Sequence, residues 1–375
     1  MPSKLHRQKI VRSARKLVIK IGTNVLADER GRLNTRRVLS LCRQICELIA
    51  AGREVVVVSS GAIGAGVGVL GLPGRPRDLP MLQAAAAVGQ NKLMQVFETG
   101  FRRFGLHAAQ ILVTRSDFEN RRRYVNINNT LRMLHHLRAV PIINENDTVA
   151  VDEIRFGEND LLAALAANLV RADLLAILTS VEGFMDDGGD IIDFVEQVNG
   201  DIFNLVDTRK TTLGVGGMET KLQAIYLATQ AGIDVVLANG RRSGILKRLI
   251  LSGEQVGTVF AAQSSRLDGR RRWIALAVRP AGKLVIDAGA TRALVTGGKS
   301  LLPSGVVSIV GKFERGAIVA VVDDTGRELA RGQATYSSAE IAKIKSRRTT
   351  EIAAVLGFKL ADEVIHRNNL IVTAG

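Results

Sequence analysis

The chain has few of the residues that hold small secreted scaffolds or membrane spans together. Its 375 residues include two cysteines, one tryptophan and seven prolines, and aromatic residues make up 4%. Two cysteines exclude a disulfide framework, and without further ligands at recognisable spacing they exclude a structural zinc site. Cys42 and Cys46 fall four apart in LCRQICELI, which reads as a helix facing a core, so both are expected as buried thiols in a reducing compartment. The low aromatic content argues against a pure interaction module. The longest apolar stretch, LLAALAANLVRADLLAILT, is cut by Asn168, Arg171 and Asp173. The basic stretch MPSKLHRQKIVRSARK is not followed by the apolar segment of a signal peptide. The expectation is a soluble, cytoplasmic protein with no membrane attachment.

Aliphatic residues, glycine and positive charge are abundant. Hydrophobic residues make up 46% of the chain, there are 37 glycines, and the formal net charge is +15. At this length two domains are expected, because single cores stop growing at roughly 250–300 residues. The basic excess attracts nucleotides, carboxylates, RNA or acidic surfaces without choosing among them, and a solvated basic surface explains it equally well. It is densest after residue 265.

Up to residue 260, apolar β-rich runs alternate with helical periodicity, the pattern of βαβ units around a mainly parallel open sheet sandwiched by helices. Strands are predicted at 17–22, 54–60, 107–113, 140–144, 174–179 and 234–238, and helices at 35–51, 80–99, 118–137, 158–170 and 218–231. Residues 1–16 form a basic arm with no assigned function. At 261–272 the pattern gives way to AAQSSRLDGRRR, a polar, basic linker. From 273 to 375 short strand-like runs alternate with turns, among them Asp324-Thr325-Gly326, which predicts a hairpin and a small β-rich domain.

Glycine-rich turns between strand and helix are where backbone N–H groups can hold an anion. Gly297-Gly298-Lys299-Ser300 imitates the end of a P-loop, but Ala293 stands where its first glycine belongs. Gly66, Gly68 and Gly71 match a dinucleotide fingerprint, suggesting a dehydrogenase. They begin too far after the strand, however, and close packing is the simpler reading. Better placed are Lys20-Ile21-Gly22-Thr23-Asn24 and Ser59-Ser60-Gly61-Ala62-Ile63-Gly64, both at strand C-terminal ends, where ligands bind in open α/β sheets.

Lys20 is a cation inside a buried run, costly unless an anion meets it; the alternative is a snorkelling lysine on an edge strand. Asn144-Glu145-Asn146-Asp147 follows a strand. Asn159 and Asp160 open a helix, where capping is the alternative reading. Gly216-Gly217-Met218-Glu219-Thr220-Lys221 is a glycine turn that places Lys221 in the first turns of another helix. Two lysines, two Asn/Asp clusters and glycine turns at strand ends have a phosphoryl-transfer site as their economical common explanation.

These residues resemble a known family. VIKIGTNVL, VVSSGAIGAG, QAAAAVGQ, INENDTVAVDEIRFGENDLLAALAA and GVGGMETKLQA, then RWIALAVRPAGKLVIDAGA and LLPSGVVSIVGKFERG, are similar to the glutamate 5-kinases of the amino-acid kinase superfamily, which carry a C-terminal PUA domain. The resemblance implies an amino-acid kinase fold over 17–260 and a PUA-like barrel over 273–375. It implies that Lys20 and Lys221 contact the transferred phosphoryl group and that Asp160 orients them. Ser60, Gly61, Asn144, Asp147 and Asn159 would hold glutamate. The nucleotide side would comprise Lys20, Gly22, Thr179, Ser180, Val215, Gly216, Gly217, Met218, Glu219, Thr220 and Lys221.

Ser180 stands where relatives often have Asp, Val215 where Thr is common, and FMDDGGDIID lacks a common Asp-Pro-Arg. These departures bear on nucleotide affinity, not on reaction type. The implied reaction uses ATP with Mg²⁺ on its phosphates and no assigned protein metal site, and it gives L-glutamyl 5-phosphate in the first step of proline synthesis. The resemblance also implies feedback inhibition by proline, a homo-oligomer (dimer or tetramer) and handover to glutamyl phosphate reductase. Two rival readings stand beside it: a kinase of N-acetylglutamate or aspartate, and an RNA-binding or RNA-modifying PUA protein.

Overall fold

Continuous apolar runs become strands buried on both faces. In the computed structural model, which describes residues 2–149, 158–198, 202, 205, 217–263 and 280–372, the chain divides into two compact units, Met1–Arg266 and Leu267–Gly375. The first contains β1 (Lys16–Ile21), β2 (Glu54–Ser59), β3 (His107–Val113), β4 (Ala139–Glu145), β5 (Leu174–Thr179), β6 (Phe194–Val195), β7 (Asp234–Asn239) and β8 (Thr258–Phe260). They form one sheet in the order β3-β4-β2-β1-β5-β7-β8-β6. Its pairings are parallel except β7 with β8. β1 is therefore central, with Lys20 facing Val58 on one side and Ile177 on the other, which excludes the edge-strand reading of that lysine.

The helices follow the sequence where it carries caps. Asn34 accepts from Arg37 N at 3.1 Å to start helix Thr35–Ala50, whose Cys42 and Cys46 are buried free thiols in the core. Asp78 accepts from Met81 N at 3.0 Å to start helix Leu79–Arg102, with Pro80 in its first turn. The single helix expected over 118–137 is two, Arg115–Glu119 and Arg121–His136. Asn120 adopts an extended conformation between them, and its side chain caps the second through Arg122 N and Arg123 N.

Of the apparent dinucleotide fingerprint, Gly66 serves packing, whereas Gly71 has open space around it. Helix Ala62–Val69 crosses helix Leu79–Arg102 at backbone contact. A Cβ on Gly66 would lie 1.8 Å from the Ala85 carbonyl oxygen, and one on Gly89 1.8 Å from that of Ala62. The P-loop imitation at 297–300 follows the C-terminal end of helix Ala288–Val295, and the next helical residues in the chain are the short 3₁₀ turn Pro303–Gly305, so it does not join a strand to a helix N-terminus.

Helix Pro2–Ser13 and the strands β6 and β8 are among the elements outside the sequence expectation. Pro2–Ser13, in the basic arm, is a helix tied down by Arg7. That side chain is 1% exposed and donates to the carbonyls of Glu254 (2.9 Å) and Val256 (2.6 Å), beside Asp193. Val11 and Ala14 join the core there. Strands β6 and β8 are too short to carry a periodic signal. The linker expected at 261–272 lies, from 264 on, outside the described residues.

The second unit contains β9 (Lys283–Ile286), β10 (Val306–Val310), β11 (Ile318–Val322), β12 (Glu328–Gln333) and β13 (Leu370–Val372), in the order β10-β9-β11-β12-β13. The expected hairpin joins β11 to β12. Asp323 accepts from Thr325 N and Arg327 N, and Gly326 takes φ +85°. Its core gathers Leu284, Ile286, Val319, Val321, Ile341 and Ile365 around the buried Tyr336.

Candidate active site

The C-terminal ends of β5, β1, β2 and β4, neighbours in that order, open into one cavity of about 400 Å³. That volume suits a small-molecule ligand. The parallel sheet brings residues far apart in sequence to one edge, each strand contributing the residues at its end.

On β1, Lys20 is 5% exposed, and its Nζ lies 2.7 Å from Asp160 Oδ1. Asp160, 1% exposed near the start of helix Glu158–Val170, meets Lys221 Nζ at 3.0 Å through Oδ2. Lys221 also donates to the Gly217 carbonyl at 2.9 Å, one turn back in helix Gly217–Gln230. Burial raises the Asp160 pKa, but Lys20 and Lys221 outweigh it and hold the carboxyl below its ordinary range. Desolvation, with repulsion from Lys221, lowers the Lys20 pKa against the pull of Asp160. One carboxylate between two cations leaves a net positive charge away from water, which an anion would stabilise.

Beside this cluster runs a chain of amides. Asn159 Nδ2 donates to Ser60 Oγ (2.9 Å) and to Asn144 Oδ1 (3.2 Å), and Asn144 Nδ2 donates to Gln90 Oε1 (2.8 Å). The capping alternative for Asn159 and Asp160 gives way to these contacts, which spend both side chains on the cavity. Asn159 Oδ1 is buried without a hydrogen-bond partner among the described residues, an acceptor that calls for a donor. Gly61 takes φ +99° to turn the chain from Ser60 into helix Ala62–Val69, a conformation that disfavours a side chain.

Beyond β4, Asp147 lines the cavity, and burial pushes its carboxyl up to about 6 against the attraction of the Arg75 guanidinium. Arg75, between helices Ala62–Val69 and Leu79–Arg102, lines the same cavity.

Lys20, Gly22, Ser60, Gly61, Asn144, Asp147, Asn159, Asp160, Thr179, Ser180, Gly217 and Lys221 are thus brought together. Met218, Glu219 and Thr220 lie in the first turn of their helix and do not line the cavity. Val215 and Gly216 lie outside the described residues. Sequence reasoning missed Gln90 and Arg75. Gln90 had a signal, a polar residue in register with Ala86, Leu93 and Phe97 on a buried helix face. Arg75 had none beyond a basic residue in a glycine- and proline-containing loop.

Profiles of the amino acid kinase family and the PUA domain match residues 15–239 and 282–356. Glutamate 5-kinase of Moorella thermoacetica is 48% identical over 96% of both chains. That of Caldanaerobacter subterraneus subsp. tengcongensis is 46% identical over 95% of this chain and 97% of its own, and that of Geobacter sulfurreducens is 45% identical over 98% and 100%. Among solved structures, a UMP kinase from Bacillus anthracis aligns over 67% of this chain and 97% of its own, at 14% identity and a TM-score of 0.45. With relatives that match it over nearly its whole length, the chain belongs to the glutamate 5-kinase family of amino acid kinases, with a PUA domain after the kinase domain.

Proposed function

We propose that the chain transfers the γ-phosphoryl group of ATP to the side-chain carboxylate of free L-glutamate, giving L-glutamyl 5-phosphate for proline synthesis. The Lys20–Asp160–Lys221 cluster carries this reading: it is a buried, net-positive group between the β5 end of the cavity and the Ser60–Asn159–Asn144 network. Across the sheet edge the order becomes nucleotide at β5, phosphoryl group at β1, and amino acid at β2 and β4.

A carboxylate is already ionised at neutral pH and needs no general base to attack phosphorus. Catalysis is then positioning plus charge stabilisation. Lys20 and Lys221 neutralise charge on the phosphoryl and leaving oxygens, and Asp160, held ionised by both, aims them. Gly22, Thr179, Ser180 and Gly217 form the nucleotide side. Both Asp160 oxygens are engaged by lysines, so Mg²⁺ enters on the phosphates of ATP as part of the substrate.

Ser60, Asn144 and Asn159 hold the glutamate, and Asp147 takes its α-ammonium. An acylated nitrogen would lose that charge-assisted bond, which favours free glutamate over N-acetylglutamate. The acyl phosphate product is labile, which suits handover to a reductase. Family membership supports proline as feedback inhibitor and a homo-oligomeric assembly. No helix among the described residues is long and apolar enough to cross a membrane, and the two buried free thiols suit a reducing cytoplasm.

ATP consumption with Mg²⁺, measured with glutamate, N-acetylglutamate and aspartate in parallel and hydroxylamine present, tests the proposal. Hydroxamate is expected with glutamate and at most traces with the other two. Hydroxamate from N-acetylglutamate or aspartate in preference, or from none of them, would overturn it.

A further inference from the structure

Of the charged residues lining the cavity, Glu145 and Arg30 aside, the others fall into two groups of opposite charges. One is Lys20, Asp160 and Lys221. The other is Asp147 with Arg75. Among the described residues, the charges acting on Lys20 and Asp160 are one another and Lys221, and the charge acting on Asp147 is Arg75. Topology explains the separation. Asp147 lies two residues past the end of β4 and Lys20 one residue before the end of β1, with β2 between them, so two strand spacings separate the two strands by roughly 10 Å. Two oppositely charged side chains at one end of an amino-acid cavity match a zwitterionic head group, which carries an ammonium and a carboxylate on one carbon.

We propose that Arg75 reads the α-carboxylate of the substrate while Asp147 takes its α-ammonium, so that the pair forms a head-group clamp at the β4 end of the cavity. The inference rests on glutamate being the substrate and adds a specificity-determining residue to that reading. Arg75 suits the task because a guanidinium presents paired donors to a carboxylate, and an arginine already beside a carboxylate can turn one edge to it and the other to the ligand. It sits on the loop before helix Leu79–Arg102, whose Gln90 holds Asn144, so one element supports both the clamp and the amide network. Arg30 also lines the cavity, but it follows β1 on the 27–34 segment, and no shift of Asp147 traces to it. Lys20 and Lys221 are committed to Asp160.

The clamp predicts that the enzyme discriminates glutamate from its α-amide, in which the α-carboxylate is neutral and the side-chain carboxylate remains free to be phosphorylated. The experiment measures hydroxamate formation from both compounds by the full-length wild type, Arg75→Gln and Arg75→Lys, with thermal unfolding of each as a check on folding. The expected result for Arg75→Gln is a KM for glutamate raised roughly 10- to 100-fold, with kcat and the KM for ATP within about threefold. The preference for glutamate over its α-amide should collapse towards one, and Arg75→Lys should recover part of it.

If Arg75 serves only to hold Asp147 in place, both compounds will weaken together and the preference will survive; that result overturns the proposal, as does an unchanged KM. Should Arg75→Gln unfold, the Arg75→Lys ratio decides alone: a preference equal to wild type with unchanged KM contradicts the clamp. A wild type that makes hydroxamate from neither compound refutes the glutamate reaction itself, a separate failure.

Discussion

At the β1 end of the cavity a carboxylate with almost no contact with solvent lies between two lysines; at the β4 end another feels the charge of an arginine. For both Asp160 and Asp147 desolvation is the largest influence, and it pushes in the same direction. Two cations, one 2.7 Å and one 3.0 Å away, reverse it for Asp160, whereas Arg75 only moderates it for Asp147, which stays up at about 6. The number and closeness of the partners, more than burial, decide which carboxylate is permanently ionised. The first suits a fixed electrostatic frame for phosphoryl transfer. The second suits the proposed recognition, in which a substrate ammonium would supply a further cation.

The sharpest way to break this contrast is to remove the carboxylate that has two partners. Asp160→Ala leaves two buried ammonium groups facing each other. We expect a loss of about 3–5 kcal/mol of stability in denaturant unfolding together with loss of turnover; a variant as stable as wild type would show that the lysines do not depend on it. Lys221→Ala should lower kcat by about 10²–10³ while leaving the KM for glutamate within about threefold, as loss of a transition-state charge partner does. An unchanged kcat would remove Lys221 from the catalytic group. Asp147→Asn should do the reverse, raising the KM for glutamate roughly tenfold or more with kcat within a few-fold; equal KM values would deny Asp147 the ammonium.

The smallest effect concerns stability. The folded-state pKa of Asp147 lies above its ordinary value of 3.8, so between there and about 6 the native protein binds the proton more readily than the unfolded chain. The contribution of this group is present at low pH, falls as pH rises through that window, and becomes a cost once it is ionised. Asp147→Asn should therefore unfold roughly 1–4 °C higher than wild type at pH 7 without glutamate, and the gap should narrow as pH falls below about 6 and close towards 3.8. A variant less stable than wild type at pH 7 would contradict the sign.

The sheet is legible in the sequence wherever an apolar run is long. β3 and β5 match their predicted bounds, and a lysine inside the run LVIKIG signals an anion site by its desolvation cost alone; the strand order then puts that lysine at the centre of the sheet. The partners of that lysine are less legible. Asp160 and Lys221 belong to different helices, and their convergence on Lys20 is a property of the crossovers, not of local spacing. The glycine at 66 is ambiguous as a motif because the signal of tight helix contact and that of phosphate binding use the same residue, and its distance from the strand end is what favours packing. Arg7 shows the opposite failure. A basic terminal stretch reads as a solvated arm, yet one arginine finds two carbonyls and an aspartate, and the segment docks as a helix.

The division of labour between the two ends is tested most directly by measuring kcat/KM for glutamate and kcat together from pH 5 to 7.5. kcat/KM reports the free enzyme and kcat the complex. The substrate carboxyl, near 4.3, and Asp160, held below its ordinary range, stay largely ionised throughout. The account predicts that kcat/KM falls towards tenfold per unit below about pH 6, as Asp147 takes up its proton, while kcat stays flat because the bound ammonium keeps Asp147 ionised. A kcat that falls in step with kcat/KM, or a kcat/KM that stays level across pH 6, would contradict it.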